Sequence, residues 1–279
     1  MLRLSALVML LGLPLLVSCS KPSVKADAPA RQALTTPQEG VETKTTRASR
    51  EPEPTQKSNQ EFAQEEARLR LDLKVWKLLS DRDGIQAYEK IDADDGIVAF
   101  RGEANIPADL AKIATIINTP ALRKEWMDGL VESRVVERVS DFEIIEYNHT
   151  AVPWPFQDRD FVYRGLVKIK KSPPTMIIKT TSIEDARVPL NPKTVRGHIL
   201  FSNTYLKQVE GVRSTKIIME VAVDPKGVIP KWLVAASQRN WPSNTLLQLK
   251  KIAAREDIQV SPEVQHYFSN QSEKRGKKK

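Results

Sequence analysis

Alternation of apolar and polar residues runs through most of the second half of the chain and predicts β-strands. Between Phe161 and Ile169, for example, the odd positions are apolar or small, whereas the even positions include Arg164 and Lys168. Short turn-forming segments separate six such stretches, so successive strands should pair as an antiparallel meander with one dry face. The predicted strands are Val131–Val139, Phe142–Thr150, Asp158–Lys170, Thr175–Ile183, Val195–Lys207 and Arg213–Asp224.

Helical spacing of apolar residues precedes these strands. Phe62 to Leu79 reads as a first helix, Pro107 opens a second, and a short third helix runs from Thr119 to Trp126. Between the first two helices, Ile85–Ile91 and Ile97–Ala104 are joined by an Asp-Asp-Gly turn, which is typical of a β-hairpin.

A last, long helix is predicted to begin at Pro230, and Pro242 should kink or break it. The pattern therefore indicates an α+β fold in which a curved antiparallel sheet wraps around the C-terminal helix. Small and polar residues interleave with the apolar positions of that helix, so the sheet and helix do not obviously fill the space between them. The alternatives are a cavity that holds a ligand and a tightly packed core. The interleaved residues are Ala235, Ala236, Ser237, Asn240 and Asn244.

Charge argues against nucleic-acid binding. The chain has 279 residues and a formal net charge of +8, but residues 61–272 hold 30 basic and 29 acidic side chains. The excess lies near the two ends, so the body lacks the basic surface of a duplex-binding protein. The single cysteine excludes an intrachain disulfide and Cys-rich metal sites, and no cofactor is expected.

The first residues predict an export signal. Leu4 to Leu16 is a nearly continuous apolar run after Arg3, too short to span a membrane comfortably. The run ends in Leu16-Val17-Ser18-Cys19, which resembles the bacterial lipobox and implies lipidation of Cys19 and cleavage before it. The alternative is a plain signal peptide with a chance cysteine.

Ser20 is not the Asp that usually retains such proteins in the inner membrane. The resemblance therefore implies an exported protein anchored at the periplasmic face of the outer membrane, or in a Gram-positive cell at the outer leaflet of its membrane. The predicted organisation is a lipoprotein signal peptide (1–18), a lipid-anchored disordered linker (19–60), a folded domain (61–260) and a basic tail (261–279). The tail is either solvated or attracted to anionic headgroups.

The body resembles the StAR-related lipid transfer (START) domain, which has the helix-grip fold. The co-linear resemblance covers residues 70–255, about two thirds of the chain, and its most specific part is Pro153-Trp-Pro-Phe-Gln-Asp-Arg-Asp-Phe-Val-Tyr163-Arg164. Supporting segments are Trp76-Lys-Leu-Leu, Gly84-Ile-Gln-Ala-Tyr88, Trp126, Val195-Arg196-Gly and Asp224-Pro-Lys-Gly-Val-Ile-Pro230-Lys-Trp232.

The family resemblance implies an internal tunnel for one lipid: a sterol, a phospholipid or another amphiphile. Candidate wall residues lie on the dry face of the strands and on the last helix, where an ordinary core position is the alternative for each. They are Phe161, Tyr163, Val167, Met176, Ile178, Ile217, Met219, Val221, Trp241, Thr245 and Leu249.

Glu146 is a further candidate because it shares strand parity with apolar residues and should point inward, unless it turns to solvent. Sterol-binding relatives pair an inward acid with an Arg on the following strand, but that position falls at Gly165 here, which places sterol specificity in doubt. Arg196 or His198 is the expected partner instead.

Catalytic chemistry is not indicated. Arg159 and Asp160 are expected to fix the preceding Pro-rich loop by charge-assisted hydrogen bonds. His149, His198 and His266 are accompanied by no nucleophile or metal-ligand spacing. Gate candidates are the Glu184–Lys193 loop and Trp241-Pro242.

The leading hypothesis is a membrane-tethered, non-catalytic lipid carrier. A lipid-sensing module with an unknown partner protein is the alternative, followed by an enzyme acting on a hydrophobic substrate.

Overall fold

The fold was analysed in a computed structural model that describes residues 56–91, 98–229 and 239–269. The predicted signal peptide, Cys19, nearly all of the predicted linker, Pro230 and the Lys-rich end of the tail lie outside the described residues. Within the described ranges, no helix has the length and apolar character needed to cross a membrane.

The described chain forms ten strands and five helices. The helices are α1 (Gln56–Leu71, followed by a 3-10 turn, Asp72–Val75), α2 (Leu110–Asn118), α3 (Pro120–Trp126), α4 (Trp241–Ala253) and α5 (Pro262–Ser269). The strands are β1 (Lys77–Arg82), β2 (Ile85–Ile91), β3 (Val98–Ile106), β4 (Leu130–Ser140), β5 (Glu143–Thr150), β6 (Asp158–Lys171), β7 (Pro174–Ser182), β8 (Thr194–Arg196), β9 (His198–Gln208) and β10 (Thr215–Asp224).

All ten strands belong to one sheet, in the order β1-β2-β3-β10-β9-β7-β6-β5-β4. The predicted meander is confirmed, because β4, β5, β6, β7, β9 and β10 pair antiparallel in succession. The predicted hairpin β2–β3 joins the far edge of the meander through the antiparallel pair β3–β10. Strand β8 lies off this path and pairs in parallel with β6.

Two sequence-based boundaries were wrong. The first helix ends at Leu71 and begins at Gln56, so Lys77–Leu79 belongs to a strand and the helix starts inside the predicted linker. The strand predicted over Val195–Lys207 is interrupted at Gly197. A Cβ at Gly197 would lie 2.3 Å from the Phe161 ring, so this close approach requires glycine.

The inner face of the sheet packs against α2 and α4. Pro242 lies in the first turn of α4, where its missing N–H costs little, and the described helix begins there rather than continuing through it. A Cβ at Gly102 of β3 would lie 2.8 Å from Leu246, so glycine lets α4 approach the sheet closely. The fully buried side chains of this core include Ile106, Leu110, Ile113, Ile116, Leu206, Ile217, Leu246 and Leu249.

The outer face of the sheet is covered in part by α1. Phe62 and Leu69 form a separate apolar cluster with Ile177, Tyr205 and Ile218 of the central strands. Tyr205 Oη also donates to Glu66 Oε1 at 2.6 Å. The helix is therefore a packed part of the domain.

Buried charges reinforce this contact. Arg101 of β3 donates to Glu103 and, at 2.8 Å, to Glu220 Oε1, while Arg68 of α1 donates to Glu220 Oε2 at 2.7 Å. Arg101 Nη2 also donates to the carbonyl of Leu69. Since a buried carboxylate is costly unless it is paired, this network favours the docked position of α1.

Glu65 provides a test of α1 docking. Burial acts to raise the pKa of Glu65, but hydrogen bonds from Arg68 (2.7 Å) and Lys179 (3.1 Å) hold it below its usual value of 4.5. We expect Glu65→Gln to lower the free energy of unfolding by about 1 kcal/mol at pH 7. The pKa is lower in the folded state, so the difference from wild type should be complete above pH 4.5 and vanish as pH falls through the folded pKa.

The measurement is urea denaturation of wild type and variant between pH 3 and pH 7. Glu61→Gln on the same helix is the control, because Glu61 pairs with Lys168 at the surface and should contribute about 0.5 kcal/mol or less. An equal effect of the two substitutions at every pH would contradict the assigned role of Glu65.

Candidate functional site

A cavity of about 580 Å³ lies between the inner face of the sheet and helices α3, α4 and α5. Its volume falls within the range of roughly 300–1,000 Å³ that is usual for ligand sites. The cavity runs from the β5–β6 loop, at Val152 and Phe156, to the β4–β5 turn and α5, at Phe142 and Tyr267.

Most predicted wall residues line this cavity. They are Glu146, Phe161, Tyr163, Val167, Met176, Ile178, Met219, Val221, Trp241 and Thr245. Ile217 and Leu249 do not: both are fully buried in the apolar core that the sheet forms with α2 and α4. Arg196 and His198 also lie outside the cavity lining.

Glu146 is buried and faces the cavity, as its strand parity predicts. Its partner is Arg123 of α3, whose Nη1 donates to Glu146 Oε1 at 2.6 Å. The prediction that Arg196 or His198 pairs with Glu146 was wrong. Arg196 instead forms an ion pair with Asp160 at 3.0 Å, and His198 is exposed.

Arg123 is held by contacts on either side of the ion pair. Its Nε donates to the carbonyl of Ile117 at 2.9 Å, and Nη1 reaches Ser133 Oγ at 3.2 Å. The pair therefore ties α3 to strands β4 and β5 within the cavity wall. Sequence reasoning missed Arg123 because it sought the partner on a neighbouring strand, whereas the helix supplies it.

Tyr163 and Asn148 extend this polar cluster. Tyr163 Oη donates to Glu146 Oε2 at 3.1 Å. Asn148 is also buried and lines the cavity. Burial and the nearby Glu146 carboxylate raise the pKa of Tyr163 far above its usual value, so the phenol stays protonated. Asn148 shares strand parity with Glu146, and this signal in the sequence was overlooked.

Three buried polar atoms of the lining have no hydrogen-bond partner among the described residues. They are Asn148 Oδ1, Trp126 Nε1 and Thr245 Oγ1. Their residues are 6%, 5% and 2% exposed. Buried polar groups of folded proteins are normally paired, so these three atoms are exceptions within the residues that line the cavity.

Asp128 is a further polar residue of the lining. Burial raises the pKa of this carboxyl, and a side-chain hydrogen bond with Asn244 of α4 offsets the rise only in part.

The β5–β6 loop and the segment after β10 border one end of the cavity. Arg159 donates to the carbonyls of Gln157, Pro225 and Lys226, and so joins the β5–β6 loop to the segment after β10. This confirms the prediction that Arg159 fixes the loop. Asp160 acts in the same region through its ion pair with Arg196.

Large apolar side chains project into solvent from three loops at this end. Trp154 is 92% exposed, Leu190 76% and Val228 95%. Leu190 belongs to the Glu184–Lys193 segment, which was predicted as a lid. Exposed large apolar residues on loops at the same end of a sheet are typical of an interaction surface.

The histidines are not assembled into a reaction centre. His149 Nε2 lies 2.8 Å from Asp158 Oδ2. Asp158 Oδ1 accepts a hydrogen bond from the Val152 N–H and so helps to shape the β5–β6 loop. His266 lies on α5 beside Tyr267. Across the described ranges, no group of three or more His, Cys, Asp or Glu side chains is placed to hold a metal ion.

Sequence comparison relates this chain to one protein family and to individual proteins. The START domain family profile matches residues 56–241. An uncharacterized protein of Pseudomonas aeruginosa is 26% identical over 178 residues, which cover 64% of this chain and 86% of that protein. The phosphatidylcholine transfer protein of Bos taurus is 24% identical over 180 residues, which cover 63% and 83%.

Solved structures share the fold. Human STARD10 superposes with a TM-score of 0.62 at 20% identity, covering 74% of this chain and 82% of that one. The STAR-related lipid transfer protein of Xanthomonas axonopodis superposes with a TM-score of 0.57 at 23% identity, covering 65% and 99%.

The ion pair in the cavity can be tested by double substitution. Arg123→Met leaves the Glu146 carboxylate buried without its cation, so we expect a loss of about 3 kcal/mol in the free energy of unfolding. Adding Glu146→Gln removes that charge and keeps an acceptor for Tyr163, so the double variant should recover most of the loss.

Urea denaturation of the four proteins of this cycle gives the coupling energy. Arg164→Met is the surface control: Arg164 pairs with Glu143 at 3.2 Å, and we expect a change of about 0.5 kcal/mol or less. Additive losses in the cycle would contradict a direct Arg123–Glu146 interaction.

Proposed function

Because this chain belongs to the START domain family, we propose that it binds a single lipid in its internal cavity and carries it to or from a membrane without reacting with it. The observation that carries this proposal is the cavity itself, whose lining is mostly apolar and includes a small number of buried polar groups. An amphiphile with one polar end matches that division.

The relatives support a lipid as the cargo. The Bos taurus protein is named for phosphatidylcholine transfer, and the Xanthomonas axonopodis protein for lipid transfer. The described contacts of His149 and Arg159 are with loop residues, so both side chains serve to position loops. This role also favours binding over catalysis.

Exposed apolar residues support placing the mouth of the cavity at the end bordered by the β5–β6 loop, where lipid would exchange with a membrane. Trp154, Leu190 and Val228 extend apolar surface into solvent from three loops at that end. Aromatic side chains are favoured at the boundary between headgroups and acyl chains. A membrane touching this end would lie directly at the entrance to the cavity.

Export and a lipid anchor complete the proposal. The Leu16-Val17-Ser18-Cys19 sequence supports lipidation of Cys19 and a location at the periplasmic face of the outer membrane. Cells fed labelled palmitate should incorporate label into the wild-type protein and not into Cys19→Ser, which should leave the membrane fraction. Label in Cys19→Ser would reject the anchor and leave the lipid-binding proposal intact.

Filling the cavity tests lipid binding. A Cβ at Gly165 would lie 3.4 Å from Ile144, which is ordinary contact, and the residue lines the cavity. We expect Gly165→Leu to fold and to reduce the amount of lipid bound severalfold, because its side chain occupies ligand space. Gly165→Ala is the matched control and should retain lipid. Native mass spectrometry of protein purified from its host measures occupancy and identifies the lipid.

A vesicle-to-vesicle transfer assay extends the same experiment from binding to delivery. Trp154→Ala should keep wild-type occupancy and transfer lipid more slowly, since it removes apolar surface only at the mouth. Val212→Ala, an exposed position at the opposite end of the strands, should change neither quantity.

Full lipid occupancy in folded Gly165→Leu would reject the cavity as the binding site.

A further inference from the structure

We propose that Gly197 and Phe161 set the breadth of the lipid that the cavity accepts. Glycine at position 197 lets the Phe161 ring lean away from the cavity, which leaves room beside the ring for a lipid with two acyl chains. A side chain at position 197 would press the ring inward and favour a lipid with one chain. The inference rests on the proposed function, because it specifies which lipids fit the same cavity.

The Phe161 ring lies against Gly197. Phe161 is on the inner face of β6, where it pairs with Asn148 of β5 and lines the cavity. On the other side of β6, strand β7 ends at Ser182, opposite Tyr163, and Gly197 lies beside the ring at the break between β8 and β9. A Cβ built on Gly197 would lie 2.3 Å from Cε1, 2.8 Å from Cζ and 3.1 Å from Cδ1 of this ring.

Space, and not backbone conformation, requires glycine at this position. Gly197 does not have a positive φ, whereas Gly84 and Gly211 do. An alanine would therefore not place an L side chain in the left-handed region. Its methyl group would instead overlap the Phe161 ring, because non-bonded carbon atoms normally lie at least about 3.5 Å apart. The ring would have to move away by about 1 Å.

Buried neighbours leave the cavity as the direction of that movement. Arg159 and Tyr163 precede and follow Phe161 on the inner face of β6. Arg159 is buried and held by three backbone carbonyls, and Tyr163 is buried and hydrogen-bonded to the carboxylate of the cavity ion pair. Asn148, across the strand pair on β5, is also buried. A ring displaced from Gly197 therefore moves into the space of the ligand.

The ring lies in the part of the cavity that the β5–β6 loop borders. Strand β6 begins at Asp158, shortly before Phe161, and Val152 and Phe156 of the loop line the same cavity. Under the proposed function, a lipid passes this end when it enters or leaves. The breadth available beside Phe161 thus limits both which lipids enter and which lipids stay bound.

Lipids that differ chiefly in the number of acyl chains test the proposal. The purified protein is offered dioleoylphosphatidylcholine against oleoyl-lysophosphatidylcholine, and dioleoylglycerol against monooleoylglycerol. In Gly197→Ala, we expect the two-chain to one-chain binding ratio to fall about tenfold in at least one pair, because the displaced ring overpacks the broader lipid. Competition monitored by native mass spectrometry gives the ratios. Lipid that copurifies with the variant from its host should also be scarcer or lower in mass.

Removal of the ring tests whether Phe161 transmits the effect. Phe161→Ala should raise the two-chain to one-chain ratio severalfold. Gly197→Ala introduced into Phe161→Ala should then change the ratio by less than about twofold, because the methyl group has no ring to displace.

Gly211→Ala is the matched control for destabilisation. It makes the same chemical change in the β9–β10 turn, where φ is +75° and no heavy atom of the described residues lies within 4 Å of an added Cβ. The substitution should strain the backbone and preserve the wild-type ratio.

The results separate this inference from the proposed function. Three outcomes would overturn the inference and leave lipid binding in place: an unchanged ratio in folded Gly197→Ala, equal weakening of both lipids of a pair, or the same fall of the ratio in the Phe161→Ala background. If only the host lipid binds, an unchanged amount and mass of that lipid in Gly197→Ala also overturns the inference.

Two further outcomes complete the test. If Gly197→Ala does not fold, Phe161→Ala decides alone, and an unchanged ratio in that variant contradicts the proposal. No binding of any probe, together with no lipid in the wild-type protein purified from its host, would overturn both the inference and the proposed function.

Discussion

The ion pair between Arg123 and Glu146 joins a helix to the sheet across the wall of a hollow interior. Two charges in this position are stable only together, because either one alone would be buried without compensation. Their attraction fixes α3 against β5 at the place where packed side chains are missing. The cavity therefore persists because a polar contact holds its wall, and Asn148 and Trp126 of the same lining each keep a buried polar atom without a partner among the described residues.

The two faces of the sheet serve different purposes. The outer face carries α1, an apolar cluster around Phe62, and the buried network of Arg101 and Glu220. The inner face packs against α2 and α4 in the apolar core, and elsewhere it encloses the cavity together with the helices. The contacts of the outer face and the lining of the cavity thus involve different residues, so a substitution in the cavity need not weaken the outer face.

Local signals in the sequence were sufficient for the meander, the hairpin and most of the cavity wall, because alternation identifies the inner face of each strand. They were not sufficient for contacts between distant elements. Arg123 reaches Glu146 only through the placement of α3, and the join of β3 to β10 spans more than a hundred residues. Ile217 follows the correct parity, yet it is fully buried in the packed core outside the cavity lining. The end of α1 was missed because Lys77–Leu79 continues an apolar pattern that fits either structure.

The path of α1 has a mechanical consequence. Its side chains contact β6 through Glu61, β7 through Glu65 and β10 through Arg68, so the helix lies across the strands on the side away from the cavity. Tension applied to the polypeptide before Gln56 would act as shear along that outer surface. The load would fall first on the pairs of α1, and the compartment on the other side of the sheet would keep its shape and its contents.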